Sequence, residues 1–227
     1  VQTCALPICR CRLRRHHAGI GWRLLLSGGD PTSGDTGRQT QRCHLHIHGP
    51  YLLGPQALAL HSAAADRDTY LQRPDLGRRL SATSARALDE GGAAPCDLLL
   101  VIGDGLSAAA IERQAVPLVA EVLAQRPEGW TLGPLVVVTQ ARVAIGDDIG
   151  ARLGAAQVAM LIGERPGLSS PDSLGIYLTH APRVGRSDAE RNCLSNVRPE
   201  GLPPAEAARK LWWLAEAART LQLTGVG

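Results

Sequence analysis

The sequence contains no apolar run that could cross a membrane as a helix, which takes about 20 consecutive residues. Two of its longest apolar runs, 98–102 and 134–138, are only as long as strands. The sequence also shows no classical signal peptide, so we expect a soluble, intracellular protein. Lysine is nearly absent, since Lys210 is the one lysine among 24 basic residues, and we attribute this arginine bias to coding preference rather than to function.

Several catalytic and nucleotide-binding motifs are missing. The chain has no Gly-Lys-Ser or Gly-Lys-Thr, which excludes a P-loop, and no G-x-S-x-G elbow for a serine nucleophile. The turn at 103–105, Gly-Asp-Gly, could open a dinucleotide site, but Ala108 replaces the third glycine and no acid ends the next strand. A stand-alone nucleotide-binding α/β domain therefore remains only an alternative. His180 is most simply a packing or surface residue.

Charge is distributed unevenly along the chain. The net charge is +3, but residues 1–60 contain seven arginines and two acids, and residues 61–227 contain 17 basic and 19 acidic residues. The first 60 residues also contain four of the six cysteines and five of the seven histidines. The composition of this segment differs from that of the rest of the chain.

Three interpretations of residues 1–60 are open. Their cysteines, histidines and arginines could form a basic arm that binds metal or nucleic acid, although the spacing matches no zinc pattern well. The segment could be a disordered tail, because it lacks sustained apolar periodicity. We favour a third interpretation, in which the segment is non-native or frame-shifted, because VQTCALPI at 1–8 resembles a translated sequencing adaptor and a shifted frame scatters Arg, Cys and His.

From residue 61 onward the sequence becomes regular. Residues 61–94 predict a helical N-terminal part, with a break at Arg73-Pro74 and a helix capped by Asp75. The predicted strands are 97–102, 134–139, 157–162 and 174–179, and the predicted helices are 106–125, 147–153 and 203–223. This alternation predicts an α/β fold over 95–227, with a mainly parallel, Rossmann-like sheet flanked by helices.

The turns with polar residues and glycines follow the predicted strands. These turns are 103–105, 142–143 and 163–167, the last of which reads Gly-Glu-Arg-Pro-Gly. In open α/β sheets, ligands bind at the carboxyl ends of the strands. The spacing therefore predicts a binding surface for a large polar molecule or another subunit at this edge.

Five segments, in this order along the chain, resemble one known family. They are 70–80, DGLS at 104–107, ARVAIGDDIG at 141–150, LIGERPGLSSPDSLG at 161–175 and DAERNCLSNVRPEGLPP at 188–204. Together they are similar to the small (light) chain of ethanolamine ammonia-lyase over roughly residues 60–225. The combination of GERPGL with RNCLSNVRPEG is highly specific.

The resemblance implies an adenosylcobalamin-dependent lyase that converts ethanolamine to acetaldehyde and ammonia by radical rearrangement and elimination. It implies a large partner chain, a TIM-type barrel that binds ethanolamine, and a small chain that covers part of the corrin between the two. It implies no catalytic residue or metal ligand here, no nucleic acid or membrane partner, and a place in the cytoplasm, either free or inside a bacterial microcompartment. The D-x-H-x-x-G motif of proteins that replace the lower base of cobalamin with a histidine is absent.

The resemblance also assigns cofactor contacts. They correspond to Val143, Glu164 and Cys193, with Arg142, Arg165 and Gly167 expected nearby. By this assignment Val143 makes an apolar contact, Glu164 accepts from a corrin amide, and Cys193 is a small neutral filler. The glycines at 163 and 167 would let the backbone approach the corrin.

Overall fold

The computed structural model describes the backbone of residues 14–15 and 22–23, and residues 57–92, 94–163, 170 and 172–226. In the two short segments, strand β1 (Arg14–Arg15) pairs antiparallel with strand β2 (Trp22–Arg23). The other described elements form a six-stranded sheet and the helices that flank it.

The six strands are arranged in the order β3-β5-β4-β6-β7-β8. Their bounds are Ala57–His61 (β3), Cys96–Gly103 (β4), Leu135–Thr139 (β5), Ala155–Gly163 (β6), Leu174–His180 (β7) and Asn192–Val197 (β8). Strands β3, β5, β4 and β6 are parallel to one another, whereas β7 pairs antiparallel with both β6 and β8. The predicted α/β class with a mainly parallel sheet flanked by helices is confirmed.

Helices cover both faces of the sheet. Their bounds are Arg67–Gln72 (α1), Pro74–Gly77 (α2), Ala82–Gly91 (α3), Ala108–Ala124 (α4), Ile145–Arg152 (α5) and Pro204–Leu221 (α6), with a 3₁₀ turn at Asp188–Glu190. Helices α4 and α6 pack on one face, and α5 packs on the other together with α3. Among the helices described, none has the length and apolar character needed to cross a membrane.

Strand β4 lies at the centre of the core because its side chains are apolar on both faces. Leu98 and Leu100 belong to the cluster under α4 and α6, and Leu99 and Val101 belong to the cluster under α5. Such a strand has no solvated side, which explains its unbroken apolar sequence. Pairing with β5 on one side and β6 on the other then places its carboxyl end in the middle of one sheet edge.

The α4–α6 layer is fixed by a tryptophan pair. The rings of Trp130 and Trp212 meet edge to face with centroids 5.2 Å apart. The Trp212 indole N–H donates to the Val122 carbonyl at 2.9 Å, so this buried donor is satisfied.

The N-terminal helical part differs from its prediction, which was a single helix beginning at Asp75. Asp75 lies inside α2 and pairs with Arg73, and the chain breaks before α3. Ser81 caps α3 by accepting from the Ser84 amide, and Leu80 forms an isolated bridge with Ser62 beside the sheet. The single helix was wrong because a local cap and a contact with the sheet outweigh continuous helix propensity.

Two strands of the six-stranded sheet were not predicted. Strand β3 crosses the boundary placed between residues 60 and 61, so the last residues of the first segment belong to the sheet. Strand β8 was also missed, because it is short and only one of its six residues is buried. The proposal that residues 1–60 are non-native stays a prediction.

Candidate functional site

The carboxyl ends of three parallel strands meet at one edge of the sheet. Gly163, the last residue of β6, accepts from the amides of Leu106 at 2.8 Å and Ser107 at 3.1 Å in the turn after β4. The turn after β5 lies at the same edge, because the Asp104 carboxylate accepts hydrogen bonds from the backbone amides of that turn. The predicted neighbourhood of turns 103–105 and 142–143 at one edge is confirmed.

Gly163 is required by packing within this edge. A Cβ atom at this position would lie 2.0 Å from the Ser107 carbonyl oxygen. Only a residue without a side chain lets β6 and the turn after β4 approach so closely. The structural reason for this glycine is therefore an internal contact rather than the approach of a ligand, and Gly167 lies outside the described residues.

The Gly103-Asp104-Gly105 turn does not match a phosphate-binding turn. The amides that would face a phosphate, those of Leu106 and Ser107, already donate to the Gly163 carbonyl. A Cβ at Gly103 would lie 2.3 Å from the Met160 methyl carbon, so this glycine makes room for the core instead of for a ligand. The geometry argues against the dinucleotide alternative.

Asp104 holds the turn after β5 from the sheet side. Its two carboxylate oxygens accept from the amides of Gln140 and Ala141, each at 3.0 Å. Burial raises the pKa of this carboxyl above its ordinary value, and the two amides oppose that shift. Gln140 has φ of +56°, a conformation that side-chain-bearing residues rarely adopt.

Tyr70 of α1 holds the same turn from the other side. Its hydroxyl donates to the Ala141 carbonyl at 3.0 Å, and its ring lies between the guanidinium groups of Arg67, at 4.7 Å, and Arg142, at 4.3 Å. Arg67 also donates to the Gly105 carbonyl at 2.8 Å. Burial raises the pKa of Tyr70 to about 12, although both guanidinium groups favour the phenolate. The helical N-terminal part is thereby docked on the carboxyl edge.

Val143 directly follows this turn at the start of α5. It is half-buried and packs against the apolar cluster between α5 and the sheet. Its carbonyl accepts from the Gly146 amide at 3.1 Å, so its backbone already belongs to the first turn of the helix. The position of Val143 is set by the turn before it and the helix after it.

Cys193 lies on the same sheet face as Val143. It pairs with Tyr177 of β7, which pairs with Met160 of β6, and residues in register project to the same side. Met160 and Tyr177 both belong to the α5-side cluster against which Val143 packs. Cys193 is exposed, while its neighbour Leu194 packs on the opposite face.

The structure thus brings two of the three predicted contact residues to one face. Val143 lies on one side of the α5-side face of the sheet, next to α5, and Cys193 lies on the other side, on β8. The half-buried Tyr177 pairs with Cys193 on this face. Glu164, Arg165 and Gly167 lie outside the described residues, so their part of the prediction is untested.

An ion pair that the sequence did not indicate connects α5, beside Val143, to the beginning of β8, beside Cys193. The Arg191 guanidinium donates two hydrogen bonds of 2.7 Å to the Asp147 carboxylate, and a third of 2.8 Å to Thr179. The two charged side chains are only 1% and 2% exposed. Burial opposes the charge of Arg191, but the bonds from Asp147 prevail and raise the pKa of the guanidinium further. Arg191 is therefore committed to Asp147 instead of acting on the Cys193 thiol.

Other candidate residues have packing roles. His180 is buried at the end of β7, and burial lowers its pKa, which agrees with the prediction of a packing histidine. Cys96 is buried in the core, and burial raises the pKa of its thiol. Within the described part of the chain, no group of three or more His, Cys, Asp or Glu residues could hold a metal ion.

Comparison with known proteins identifies the family. A profile of the family described as "Ethanolamine ammonia-lyase light chain (EutC)" matches residues 43–227. Proteins named ethanolamine ammonia-lyase small subunit are similar to this chain. The one from Ralstonia nicotianae is 58% identical over 177 residues, which are 76% of this chain and 66% of that protein. The one from Pseudomonas syringae pv. tomato is 56% identical over 177 residues, or 76% of this chain and 62% of that protein.

A third relative, from Azotobacter vinelandii, is 56% identical over 179 residues, or 76% of this chain and 66% of that protein. The chain spans slightly less than two thirds of the length of these relatives, between 62% and 66%. On the family match over 43–227 and on these identities, the chain belongs to the ethanolamine ammonia-lyase light-chain family.

Proposed function

We propose that this chain is the small subunit of an adenosylcobalamin-dependent ethanolamine ammonia-lyase and that it covers part of the corrin at the interface with the large chain. Family membership supports the subunit identity. The observation that carries the corrin contact is the placement of Val143 and Cys193 on one sheet face, at α5 and at β8.

The residues beside Val143 fit a corrin. Among the described residues, the buried Gln140 Oε1 and Arg142 Nε have no hydrogen-bond partner. Such groups are costly unless something satisfies them. The amide side chains of a corrin carry both donors and acceptors, so they match the chemistry of an unpaired acceptor and an unpaired donor within three residues of Val143 in sequence, and the half-buried Val143 supplies an apolar contact.

When bound, the cofactor supplies the radical chemistry by which ethanolamine becomes acetaldehyde and ammonia. The residues of this chain bind and orient the corrin. Val143 contacts it through its isopropyl group, and Cys193 leaves room for it as a small neutral side chain. Glu164, which follows the last residue of β6, accepts a hydrogen bond from a corrin amide. The large chain, a TIM-type barrel in this proposal, binds ethanolamine.

The proposal is tested by co-purifying this chain with the large chain of an ethanolamine ammonia-lyase in the presence of adenosylcobalamin. Co-elution on size exclusion, with cofactor-dependent release of ammonia from ethanolamine, is the expected result. Failure to co-elute leads to a second arm, in which a family-like N-terminal segment replaces residues 1–60. Rescue in that arm shows that the N-terminal segment is at fault, and continued failure overturns the proposal.

The contribution of Glu164 is measured in the assembled enzyme. Because the proposed role of Glu164 is a hydrogen bond to the corrin and not a contact within this chain, Glu164→Ala should weaken binding of adenosylcobalamin without lowering the melting temperature. The control is Glu128→Ala, since Glu128 is exposed in the loop before β5. Equal cofactor affinity in Glu164→Ala and wild type would remove Glu164 from the site.

The location of the enzyme is a separate proposal. We place it in the cytoplasm, either free or inside a bacterial microcompartment, where an N-terminal extension would direct it. A fluorescent fusion in a host that makes microcompartments gives discrete foci in the second case and diffuse signal in the first. Signal at the membrane or outside the cell would contradict both.

A further inference from the structure

We propose that Tyr70 and Asp104 are positioning residues for the cofactor, which act by holding the 140–143 turn and hence Val143 in place. This inference rests on the proposed function, because Val143 is taken as a corrin contact. It adds a role for the helical N-terminal part, which the family assignment of contact residues does not include.

The turn needs support because it is not a relaxed conformation. Gln140 has φ of +56°, where a side chain beyond glycine is strained. Ala141 is fully buried, so its amide and carbonyl must find partners inside the protein. A strained, buried turn persists only when its surroundings hold it in place.

Support from the sheet comes through Asp104. Each oxygen of its carboxylate accepts a hydrogen bond from one amide of the turn, that of Gln140 or that of Ala141, both at 3.0 Å. The strained residue and the one after it are therefore fixed by a single side chain from the neighbouring strand end. A carboxylate suits this task because it offers two acceptors and no donor.

Support from the helical part comes through Tyr70 and Gly77. The Tyr70 hydroxyl donates to the Ala141 carbonyl at 3.0 Å, and the Arg142 amide donates to the Gly77 carbonyl at 2.8 Å. Arg142 also donates to the Tyr70 carbonyl at 3.3 Å and stacks on its ring. The amides of Gln140 and Ala141 are thus held from the sheet side, and the Ala141 carbonyl and Arg142 amide that follow are held from α1 and α2.

The next residue after this clamped turn is Val143. The Arg142 carbonyl accepts from Ile145 at 3.0 Å, so the turn passes directly into the first turn of α5. Val143 is tied to that same helical turn, because its carbonyl accepts from the Gly146 amide at 3.1 Å. We therefore expect that loss of the bonds from either Asp104 or Tyr70 shifts the Val143 side chain relative to Cys193, which lies on a separate element.

The test uses Tyr70→Phe, which keeps the ring between the two guanidinium groups and removes only the hydroxyl bond to Ala141. The control is Val119→Ala, which removes methyl groups from a residue buried under the opposite face of the sheet. Both are assembled with the large chain and compared with wild type. Asp104→Asn is the second variant, because one of its two acceptors becomes a donor facing an amide.

Two readouts separate positioning from general stability. The first is the comparison of the KM for adenosylcobalamin with kcat at saturating cofactor. Tyr70→Phe should raise this KM about 5- to 10-fold, which corresponds to one lost buried hydrogen bond, and should leave kcat within about twofold of wild type. The second is hydrogen exchange of the chain without cofactor, where the amides of 140–146 should exchange faster in Tyr70→Phe. Val119→Ala should change neither the KM nor exchange in this peptide selectively.

The outcomes distinguish this inference from the proposed function. If the assembled wild-type enzyme binds no adenosylcobalamin, both the proposed function and this inference are overturned. Cofactor binding by wild type with an unchanged KM in Tyr70→Phe, or an equal rise in Val119→Ala, overturns the positioning role alone. Unchanged exchange at 140–146 in Tyr70→Phe shows that the hydroxyl does not hold the turn, and it also overturns the inference.

Discussion

Arg191 and Asp147 form a buried, two-pronged ion pair that joins the beginning of β8 to the first turn of α5. Both bonds are 2.7 Å long, and neither side chain is more than 2% exposed. Cys193 lies two residues after this arginine, and Val143 lies one helical turn before this aspartate. The ion pair therefore fixes the separation between Val143 and Cys193, the two proposed corrin contacts.

Removal of one partner should destabilise the protein strongly. Arg191→Met leaves the Asp147 carboxylate buried without its partner, and we expect the free energy of unfolding to fall by about 3–5 kcal/mol. The double variant Arg191→Met with Asp147→Leu should recover most of that loss, since it leaves no buried charge. Urea unfolding of the full chain gives both values.

The control for the ion pair is Arg209→Met. Arg209 also makes two bonds to one carboxylate, that of Glu206, but the two side chains are 66% and 38% exposed. Its loss should lower the free energy of unfolding far less than Arg191→Met does, because solvent already screens the pair. Similar losses at the two arginines would show that burial of the Arg191 pair does not determine its importance.

Gly163→Ala should destabilise the chain by about 1–3 kcal/mol, because the added carbon would lie 2.0 Å from a backbone oxygen that cannot rotate away. The matched substitution is Gly91→Ala at the end of α3, where an added carbon meets nothing within 4 Å. Thermal unfolding should show a lower melting temperature in the first variant and an equal or slightly higher one in the second. A tolerated Gly163→Ala would mean that the contact between β6 and the turn after β4 is looser than it is here.

Cys193 should tolerate loss of its sulfur but not added bulk. In the assembled enzyme, Cys193→Ala should retain activity, because the proposed role needs a small neutral side chain and no nucleophile. Cys193→Phe should raise the KM for adenosylcobalamin about 5- to 100-fold by filling the corrin space. Its melting temperature should be unchanged, because the residue is exposed on an edge strand. Loss of activity in Cys193→Ala would instead indicate a chemical role for the thiol.

Acid should destabilise the chain partly through Glu190. The Ser187 amide, followed by the Arg186 guanidinium, holds the pKa of Glu190 at about 2, below its ordinary value of 4.5. A carboxyl with a lowered folded pKa stabilises the protein above its unfolded pKa, and this stability is lost as pH falls from about 4.5 to about 2. Glu190→Gln should flatten the pH dependence of unfolding in that window. Parallel curves for wild type and Glu190→Gln would contradict this assignment.

Most of the sheet could be predicted because its central strands are continuous apolar runs between turns. β4, β5 and β6 were recognisable on this basis, and each predicted strand lies within about two residues of the observed bounds. The edge strands carry a weaker signal, since only one of the six residues of β8 is buried and most of β3 lies in a segment excluded for its composition. Edge strands owe their conformation to a neighbour that local sequence does not reveal.

The candidate site was predictable only where motifs mark it. Val143 and Cys193 were assigned from the family resemblance, and their common face follows from strand pairing for Cys193 and from packing beside α5 for Val143. Tyr70, Asp104, Asp147 and Arg191 were not assigned any role at this edge, because each acts through partners dozens of residues away. Hydrogen bonds such as that of Tyr70 with Ala141, 71 residues apart, leave no local pattern.

The docking of α1 and α2 on the 140–143 turn makes the two regions thermodynamically interdependent. Coupling between sites is reciprocal, so anything that stabilises the turn must stabilise the helices by the same free energy. A ligand bound at Val143 would thus slow proteolysis within residues 67–77, which are not among its proposed contacts. Conversely, damage to the chain that precedes Arg67 would be felt as weaker binding at an edge whose own sequence is unaltered.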